Sequence, residues 1–114
     1  VCDREKIMQT LINLLINARD AMPEGGQINL RWKYQSVSRE FVLSVKDQGE
    51  GIPEHILNHI FEPFFTTKRA GKGIGLGLYI VKKLVNNRGG KIEVESERGK
   101  GTKMTVIYPE QPPA

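Results

Sequence analysis

The chain has 114 residues, of which 39% are hydrophobic and 26% are charged, an ordinary composition for one soluble domain. This length supports one hydrophobic core, so residues 1–114 are expected to form a single domain. The formal net charge of +4 suits nucleic acid, acidic membranes and nucleotide phosphates alike, and charge alone does not select a partner. The single cysteine, Cys2, excludes a disulfide framework, and the short apolar runs predict no membrane span.

The first predicted element is a helix over residues 3–22, which Asp3 can cap and which residues 23–26 (Pro-Glu-Gly-Gly) end. Its apolar positions recur at spacings of three and four: Ile7, Leu11, Leu14, Ala18 and Met22. This helix begins almost at the first residue, and that residue is not methionine. We therefore expect the chain to be a fragment of a longer protein.

Two strands follow, because apolar and polar residues alternate from Ile28 to Tyr34 and from Phe41 to Val45. Basic residues occupy the other positions of such strands, which predicts a solvated sheet face: Arg31, Lys33, Lys46, Lys91 and Lys103. A short helix is predicted from Pro53 to about Ile60.

A second long helix is predicted from about Gly75 to Asn87, with Gly89 and Gly90 as its stop. Two final strands flank a turn at residues 98–101, with Ile92, Val94 and Ser96 expected to pair with Met104, Val106 and Tyr108. Strand pairs separated by helices predict an α+β fold in which helices cover one face of one sheet.

Asn13, Asn17 and Asp20 lie at positions i, i+4 and i+7 of the first helix, away from its apolar stripe. Asn and Asp are weaker helix formers than Glu, Lys or Gln, so a face under no other demand would seldom use all three. Their oxygens suit a hard cation such as Mg²⁺. An ordinary solvated face is the alternative interpretation.

Asp47 continues the alternation of Phe41, Leu43 and Val45, which places its carboxylate on the inward face of the sheet. An inward carboxylate is costly unless a hydrogen bond satisfies it. Residues 47–51 (Asp-Gln-Gly-Glu-Gly) then form a turn whose glycines allow close approach and positive φ. One interpretation is a pocket floor that accepts from a flat ligand such as adenine, with Ile52 stacked nearby; the other is an aspartate that starts a turn.

Four alternating glycines, Gly71, Gly73, Gly75 and Gly77, lead into the second long helix. A helix N-terminus favours the binding of phosphate groups. Three basic residues lie within or just before this stretch, namely Lys68, Arg69 and Lys72. A glycine hinge is the alternative. The Walker and dinucleotide-binding patterns do not fit this stretch, and His55 and His59 lack the glutamate of a zinc protease, so surface positions are expected for both histidines.

Five motifs in order cover nearly the whole chain: residues 13–18 (Asn-Leu-Leu-Ile-Asn-Ala), 47–51 (Asp-x-Gly-x-Gly), 61–65 (Phe-Glu-Pro-Phe-Phe), 73–78 (Gly-x-Gly-Leu-Gly-Leu) and 99–102 (Gly-x-Gly-Thr). Together they resemble the N, G1, F, G2 and G3 boxes of the catalytic ATP-binding domain of sensor histidine kinases, a member of the GHKL or Bergerat-type ATPases. The forms of residues 17–22 and 64–68 look most like nitrogen-regulatory and sporulation-type kinases.

The resemblance implies a two-layer α/β sandwich with a mixed sheet of four or five strands. It implies that Asn17 ligates Mg²⁺, with Asn13 nearby. It also implies that Asp47 binds the adenine amino group, and that the other residues of the adenine site are Gly49, Gly51, Ile52 and Thr102, the last through a water. The segment implied to wrap the phosphates consists of Gly73, Ile74, Gly75, Leu76, Gly77 and Leu78. Lys68 is the candidate γ-phosphate contact.

One departure concerns Asp20, because many relatives carry Lys or His there as a phosphate cation. Arg19, Lys68 or Lys72 would substitute for that cation.

The resemblance further implies an ATP-dependent protein histidine kinase of a two-component system, of which this chain is the catalytic half. The partners implied are MgATP, a histidine-containing dimerisation domain of the same parent and a response regulator. The fragment is expected to be monomeric and inactive alone, whereas the parent protein is expected to be a homodimer. The domain is expected to be cytoplasmic, whether or not the parent carries a membrane anchor.

The alternatives are a nucleotide-switched partner-binding module and an anti-sigma-type serine kinase with the same pocket, against which the Phe-rich box argues. Nucleic-acid binding is not expected, because no basic stripe is interleaved with aromatic residues.

Overall fold

A computed structural model describes residues 4–63 and 77–110. Its elements, in chain order, are α1 (Arg4–Asp20), β1 (Ile28–Gln35), β2 (Glu40–Asp47), α2 (Glu54–Leu57), α3 (Gly77–Asn87), β3 (Lys91–Glu97) and β4 (Gly101–Pro109). Their order is the predicted one. The expected cap Asp3 lies outside the described residues.

The four strands form one sheet in the order β1-β2-β4-β3, and every neighbouring pair is antiparallel. The predicted α+β class is confirmed. Where a mixed sheet is expected, the four described strands are antiparallel throughout. The helical connection does make β3 parallel to β2, but β4 lies between these two strands and pairs with both, so no parallel neighbours arise.

The register of the β3–β4 pair places Ile92 opposite Val106, Val94 opposite Met104 and Ser96 opposite Thr102. The expected pairing of Tyr108 with this strand is wrong. Tyr108 lies beyond the start of β3 and pairs with Phe41 of β2 instead. The reason is that β4 is longer than β3, so the last part of β4 pairs with β2 alone.

The hydrophobic core lies between one face of the sheet and the helices α1 and α3, which also contact each other. Its fully buried members come from both layers: Leu14, Ala18, Leu43, Val45, Ile60, Val81, Val85, Met104, Val106 and Tyr108. The apolar stripe predicted for α1 is confirmed, since Leu14, Ala18 and Met22 are buried. The predicted basic sheet face is exposed at all five of its positions.

Strand β1 lies at the edge of the sheet and is covered least. Leu30, Trp32 and Tyr34 pair with the inward residues of β2, yet each remains 43 to 51% exposed. Phe41 packs between the rings of Trp32 and Tyr34, with centroid distances of 5.7 and 5.0 Å. The alternation of β1 thus gives the correct face, but the described helices lie mainly over the strands beside it.

The helix ends follow local chemistry. Helix α3 ends at Asn87 as predicted, where Gly89 adopts a φ of 75° and the Gly90 N–H donates to the Val85 carbonyl at 3.0 Å. Helix α2 is shorter than predicted and continues as turns up to residue 63. In the described ranges, neither long helix combines the length and the apolar content that crossing a bilayer requires.

Candidate functional site

One end of the sheet brings together two loops that are distant in sequence. Asp47 ends β2, and the turn between β3 and β4 joins Glu97 to Gly101 beside it. We call this region, formed by residues 47–52 and 96–102, the site end. The short connection from Asn87 to Lys91 reverses the chain, so α3 begins near the end of the sheet at which β3 finishes.

Asp47 is the buried polar centre of the site end, with 4% of its surface exposed. Its Oδ1 accepts hydrogen bonds from the backbone N–H groups of Gly49 at 2.8 Å and of Thr102 at 3.2 Å. The inward position predicted from strand alternation is therefore confirmed. Within residues 4–63 and 77–110 no donor reaches Oδ2, so the second oxygen retains its capacity to accept from a ligand.

Three glycines allow the chain to approach itself closely around Asp47. A Cβ at Gly49 would lie 2.6 Å from the Ala21 carbonyl oxygen, and one at Gly51 would clash with the Glu97 carbonyl. A Cβ at Gly101 would clash with the carbonyl of Asp47 itself. Gly51 also has a φ of 81°. The close approach predicted for the glycines of the first turn is thus made by the end of α1 and the β3–β4 turn.

Ile52 and Thr102 both lie at the site end, and the adenine contacts that the resemblance implies for them stay predictions. Ile52 is half-buried and packs against the core, and its N–H donates to the Ser96 hydroxyl at 2.6 Å. Thr102 contacts Asp47 through its backbone N–H, while its hydroxyl lies 2.9 Å from Ser96 Oγ. The role expected for a water on Thr102 stays a prediction.

The amides of Asn13 and Asn17, which we call the amide row, lie half-buried on α1. No described residue forms a hydrogen bond with either side chain. Because Ala21, the residue that follows α1, lies against Gly49, this helix carries the amide row towards the site end. A half-buried amide without a described protein partner can bind either a hard cation or water, so the cation site and the solvated face both stay predictions.

Asp20 follows the amide row but is engaged with its neighbour. Arg19 Nη2 lies 3.2 Å and Nε 3.3 Å from Asp20 Oδ1, while the Arg19 side chain remains 70% exposed. The guanidinium therefore lies at the end of α1 as an exposed cation paired with Asp20, and its role as a phosphate contact stays a prediction. Lys68 and Lys72, the other two candidate cations, lie outside the described residues.

The predicted phosphate-wrapping segment is described only at its end. Gly73, Ile74, Gly75 and Leu76 lie outside the described residues, whereas Gly77 and Leu78 form the first turn of α3. Leu78 packs against the core, and among the described residues nothing lies within 4 Å of the position of a Cβ at Gly77. These two residues would therefore contribute backbone groups rather than side chains to a bound anion.

The structure describes the Phe-rich box only at residues 61–63, and it describes both histidines. Phe61 is half-buried against the core, and the Lys82 ammonium lies 5.2 Å from its ring centroid. His55 and His59 are exposed as predicted, and His59 Nδ1 lies 2.8 Å from Glu62 Oε2.

Ser96 is the residue of the site end that sequence reasoning did not single out. It bridges Ile52 and the β3–β4 turn through its hydroxyl. The available signal was a serine at the third inward position of β3, after Ile92 and Val94, where an apolar residue would continue the pattern.

The sequence profile described as "Histidine kinase-, DNA gyrase B-, and HSP90-like ATPase" matches residues 2–112. The chain belongs to this ATPase family. Within the family its relatives are sensor histidine kinases, including sporulation kinases, so the predicted resemblance is confirmed.

Among curated relatives of this ATPase domain, the sensor kinase CckA of Brucella abortus is 45% identical over 120 residues. Sporulation kinase D of Bacillus subtilis is 39% identical over 108 residues. The alignments cover 94 and 95% of this chain but only 13 and 21% of the two relatives, whose other parts it does not match.

Solved structures of kinases share the fold of this ATPase domain. The mycobacterial sensor histidine kinase MprB superposes with a TM-score of 0.85 at 31% identity, over 99% of this chain and 78% of MprB. Full-length ShkA in complex with AMPPNP gives a TM-score of 0.83 at 30% identity, over 99% of this chain and 23% of ShkA. The chain is thus a histidine-kinase-type ATP-binding domain.

Proposed function

We propose that this domain binds MgATP and presents the γ-phosphate for transfer to a histidine on a separate dimerisation domain. The observation that carries the proposal is Asp47, a buried carboxylate with one oxygen fixed by two backbone N–H groups and the other without a donor among the described residues. The family match and the AMPPNP complex of a structural neighbour support a nucleotide as the ligand.

The adenine end of the proposed site is built around Asp47 Oδ2. An adenine amino group donates hydrogen bonds, so it matches an ionised carboxylate that only accepts. Gly49 and Gly51 shape the loop beneath it, and Ile52 supplies an apolar edge next to the base. A guanine presents a carbonyl where adenine has the amino group, which would set two acceptors against each other.

The phosphate end is proposed to lie along the amide row and the start of α3. No three His, Cys, Asp or Glu side chains in the described ranges cluster as metal ligands, so Mg²⁺ would depend on amide and phosphate oxygens. Asn17 would hold the cation with Asn13 nearby, and the cation would neutralise phosphate charge. Arg19, Lys68 or Lys72 would supply the further positive charge, with Lys68 at the γ-phosphate and Asp20 holding Arg19 in place.

Transfer itself requires little chemistry from this domain. An unprotonated nitrogen of the acceptor imidazole attacks the γ-phosphorus, the bond from that phosphorus to the bridging oxygen breaks, and ADP leaves with the electron pair. Catalysis of this kind consists mainly of positioning and charge stabilisation. The domain would therefore supply half of an enzyme, and the nucleophile would come from elsewhere in the parent protein.

The assembly is proposed accordingly. The acceptor histidine belongs to a dimerisation domain of the parent, the parent is a homodimer, and the phosphoryl group passes on to a response regulator. The domain works in the cytoplasm and is monomeric by itself. The similarity to small parts of much longer sensor kinases supports this arrangement.

The test is transfer in trans. Purified domain is incubated with MgATP labelled on the γ-phosphate, alone and with a dimerisation domain taken from the parent protein. We expect label on the added domain and none on this chain. A variant of the added domain with its histidine replaced by glutamine is the control and should remain unlabelled.

Two results would contradict the proposal. One is the absence of ATP binding by the folded domain. The other is stable labelling of this chain that disappears when His55 and His59 are both replaced by alanine, because the acceptor would then lie within the domain.

A further inference from the structure

The β3–β4 turn is fastened to the loop after Asp47 by backbone and side-chain contacts. The Gly99 N–H donates to the Glu50 carbonyl at 2.8 Å, and the Thr102 N–H donates to Asp47 Oδ1 at 3.2 Å. A third bond, from the Ile52 N–H to Ser96 Oγ at 2.6 Å, is the one that depends on a side chain of β3. The loop is thus anchored at its beginning, middle and end.

The Ser96 hydroxyl has three polar neighbours at this junction. A serine hydroxyl has one proton to donate and two lone pairs to accept. Its oxygen accepts from Ile52, while Thr102 Oγ1 lies 2.9 Å and the Gly101 carbonyl 3.2 Å away. Ile52 lies outside any helix or strand, so this side chain takes the place of a ladder partner for its N–H.

We propose that Ser96 is a positioning residue that sets the base preference of the site. The proposal rests on the function proposed above. Through Ile52, Ser96 fixes the apolar edge next to the base, and through Thr102 it fixes a donor to Asp47. Without the hydroxyl, the loop at residues 47–52 loses the anchor nearest its end, and Asp47 Oδ2 and Ile52 no longer hold a fixed mutual geometry.

A pair of shape-matched variants isolates the hydroxyl. Ser96→Thr keeps it and Ser96→Val replaces it with a methyl group, and both residues are well suited to a strand. Ser44→Ala is the control, because Ser44 is a buried serine of β2 that lies outside the site end. The full chain is titrated calorimetrically with ADP and with GDP, each in the presence of Mg²⁺.

We expect Ser96→Val to weaken ADP binding by up to about tenfold, because binding must restore the loop geometry that the lost hydrogen bond held, with a smaller loss for GDP. The ratio of ADP to GDP affinity therefore falls. Ser96→Thr and Ser44→Ala should retain that ratio. A serine that only stabilised the fold would lower the melting temperature and leave the ratio unchanged in the folded protein.

Amide exchange of the unmodified chain provides a test that needs no variant to fold. The Ile52 amide should exchange slowly with solvent although it lies in a loop, and rapid exchange would overturn the proposal. Equal ratios of ADP to GDP affinity in Ser96→Val and Ser96→Thr would overturn it as well. If Asp47→Asn still abolished binding in that case, the proposed function would stand and only the role of Ser96 would fail. If the unmodified chain bound neither ADP nor ATP, the proposed function would fail first and this inference with it.

Discussion

The site end and the amide row differ in how the chain itself uses them. At the site end, Asp47 accepts two backbone hydrogen bonds and Gly101 packs directly against its carbonyl. In the amide row, no described residue forms a hydrogen bond with the side chain of Asn13 or Asn17. The contacts of the site end therefore help to stabilise the fold, whereas the side chains of the amide row contribute little to its stability.

This difference separates stability from function. Substitutions at the site end that remove these contacts should affect folding and binding together, whereas a substitution that keeps them should affect binding alone. Substitutions in the amide row should affect binding alone. The chain's own contacts thus shape the base side of the proposed site, whereas the side chains proposed for the cation and phosphates contribute little to the fold.

The largest effect is expected at Gly101. Its φ of 119° is unfavourable for other residues, and a Cβ would clash with the Asp47 carbonyl. Gly101→Ala should therefore lower the free energy of unfolding in urea by about 3 kcal/mol or more. Gly99→Ala is the matched control, since Gly99 also has a positive φ but no described residue lies within 4 Å of its Cβ position, and it should lose only about 1 to 2 kcal/mol. Equal losses would mean that the close approach is unimportant.

Asp47→Asn should have the largest effect on binding with little effect on folding. The amide oxygen can keep the bonds from Gly49 and Thr102, but an NH₂ group then faces the adenine amino group. We expect ATP affinity to fall by about 100-fold or more, measured by calorimetry. Glu93→Gln, which neutralises an exposed carboxylate of β3, should leave affinity unchanged. Unchanged affinity in Asp47→Asn would remove Asp47 from the site.

Asn17→Ala should weaken nucleotide binding about tenfold with Mg²⁺ and about twofold or less without it. Stability should be equal or higher, because the side chain lacks a described partner and Ala is the better helix former. Gln9→Ala tests an exposed position of the same helix and should leave binding unchanged in both conditions. Equal losses with and without Mg²⁺ would indicate an ordinary solvated face.

The smallest effect on stability is expected at Tyr34, which lies at the end of the sheet opposite to Asp47. A hydrogen bond to Glu110, 2.8 Å from the phenol oxygen, raises the pKa of Tyr34 above its ordinary value. The folded state therefore favours the protonated phenol, and this stabilisation is present below the ordinary tyrosine pKa and lost as pH rises through the raised value. Tyr34→Phe should reduce stability slightly at neutral pH, with the difference disappearing in alkali, and leave ATP affinity unchanged. A loss of affinity would show that the site depends on the far part of β1.

Periodicity predicted the parts of the fold that one element determines. The stripe of Leu14 and Ala18 identified the buried face of α1, and the alternation before Asp47 placed its carboxylate inward. Both inferences need only the geometry of a helix or a strand. The order of elements and the α+β class followed from the same patterns.

Contacts between distant segments could not be predicted in this way. The sequence gives no sign that Ser96 accepts from Ile52, because strand alternation places its side chain without naming what it meets. The antiparallel neighbours of the sheet depend on β4 entering between β2 and β3, which is a property of the tertiary fold. The exposure of Leu30 likewise depends on which strands the helices cover.

Trp32 is the single tryptophan of the chain, and its position determines what intrinsic fluorescence can report. It is 51% exposed and stacked on Phe41 at the sheet edge. Ile28, which pairs with Asp47, lies four residues earlier on the strand, a separation of about 13 Å. The fluorescence of Trp32 is therefore a probe of the β1–β2 hairpin. It is well suited to following unfolding, and we expect it to change little when a nucleotide base binds near Asp47. Nucleotide titrations of this domain need a labelled ligand or calorimetry.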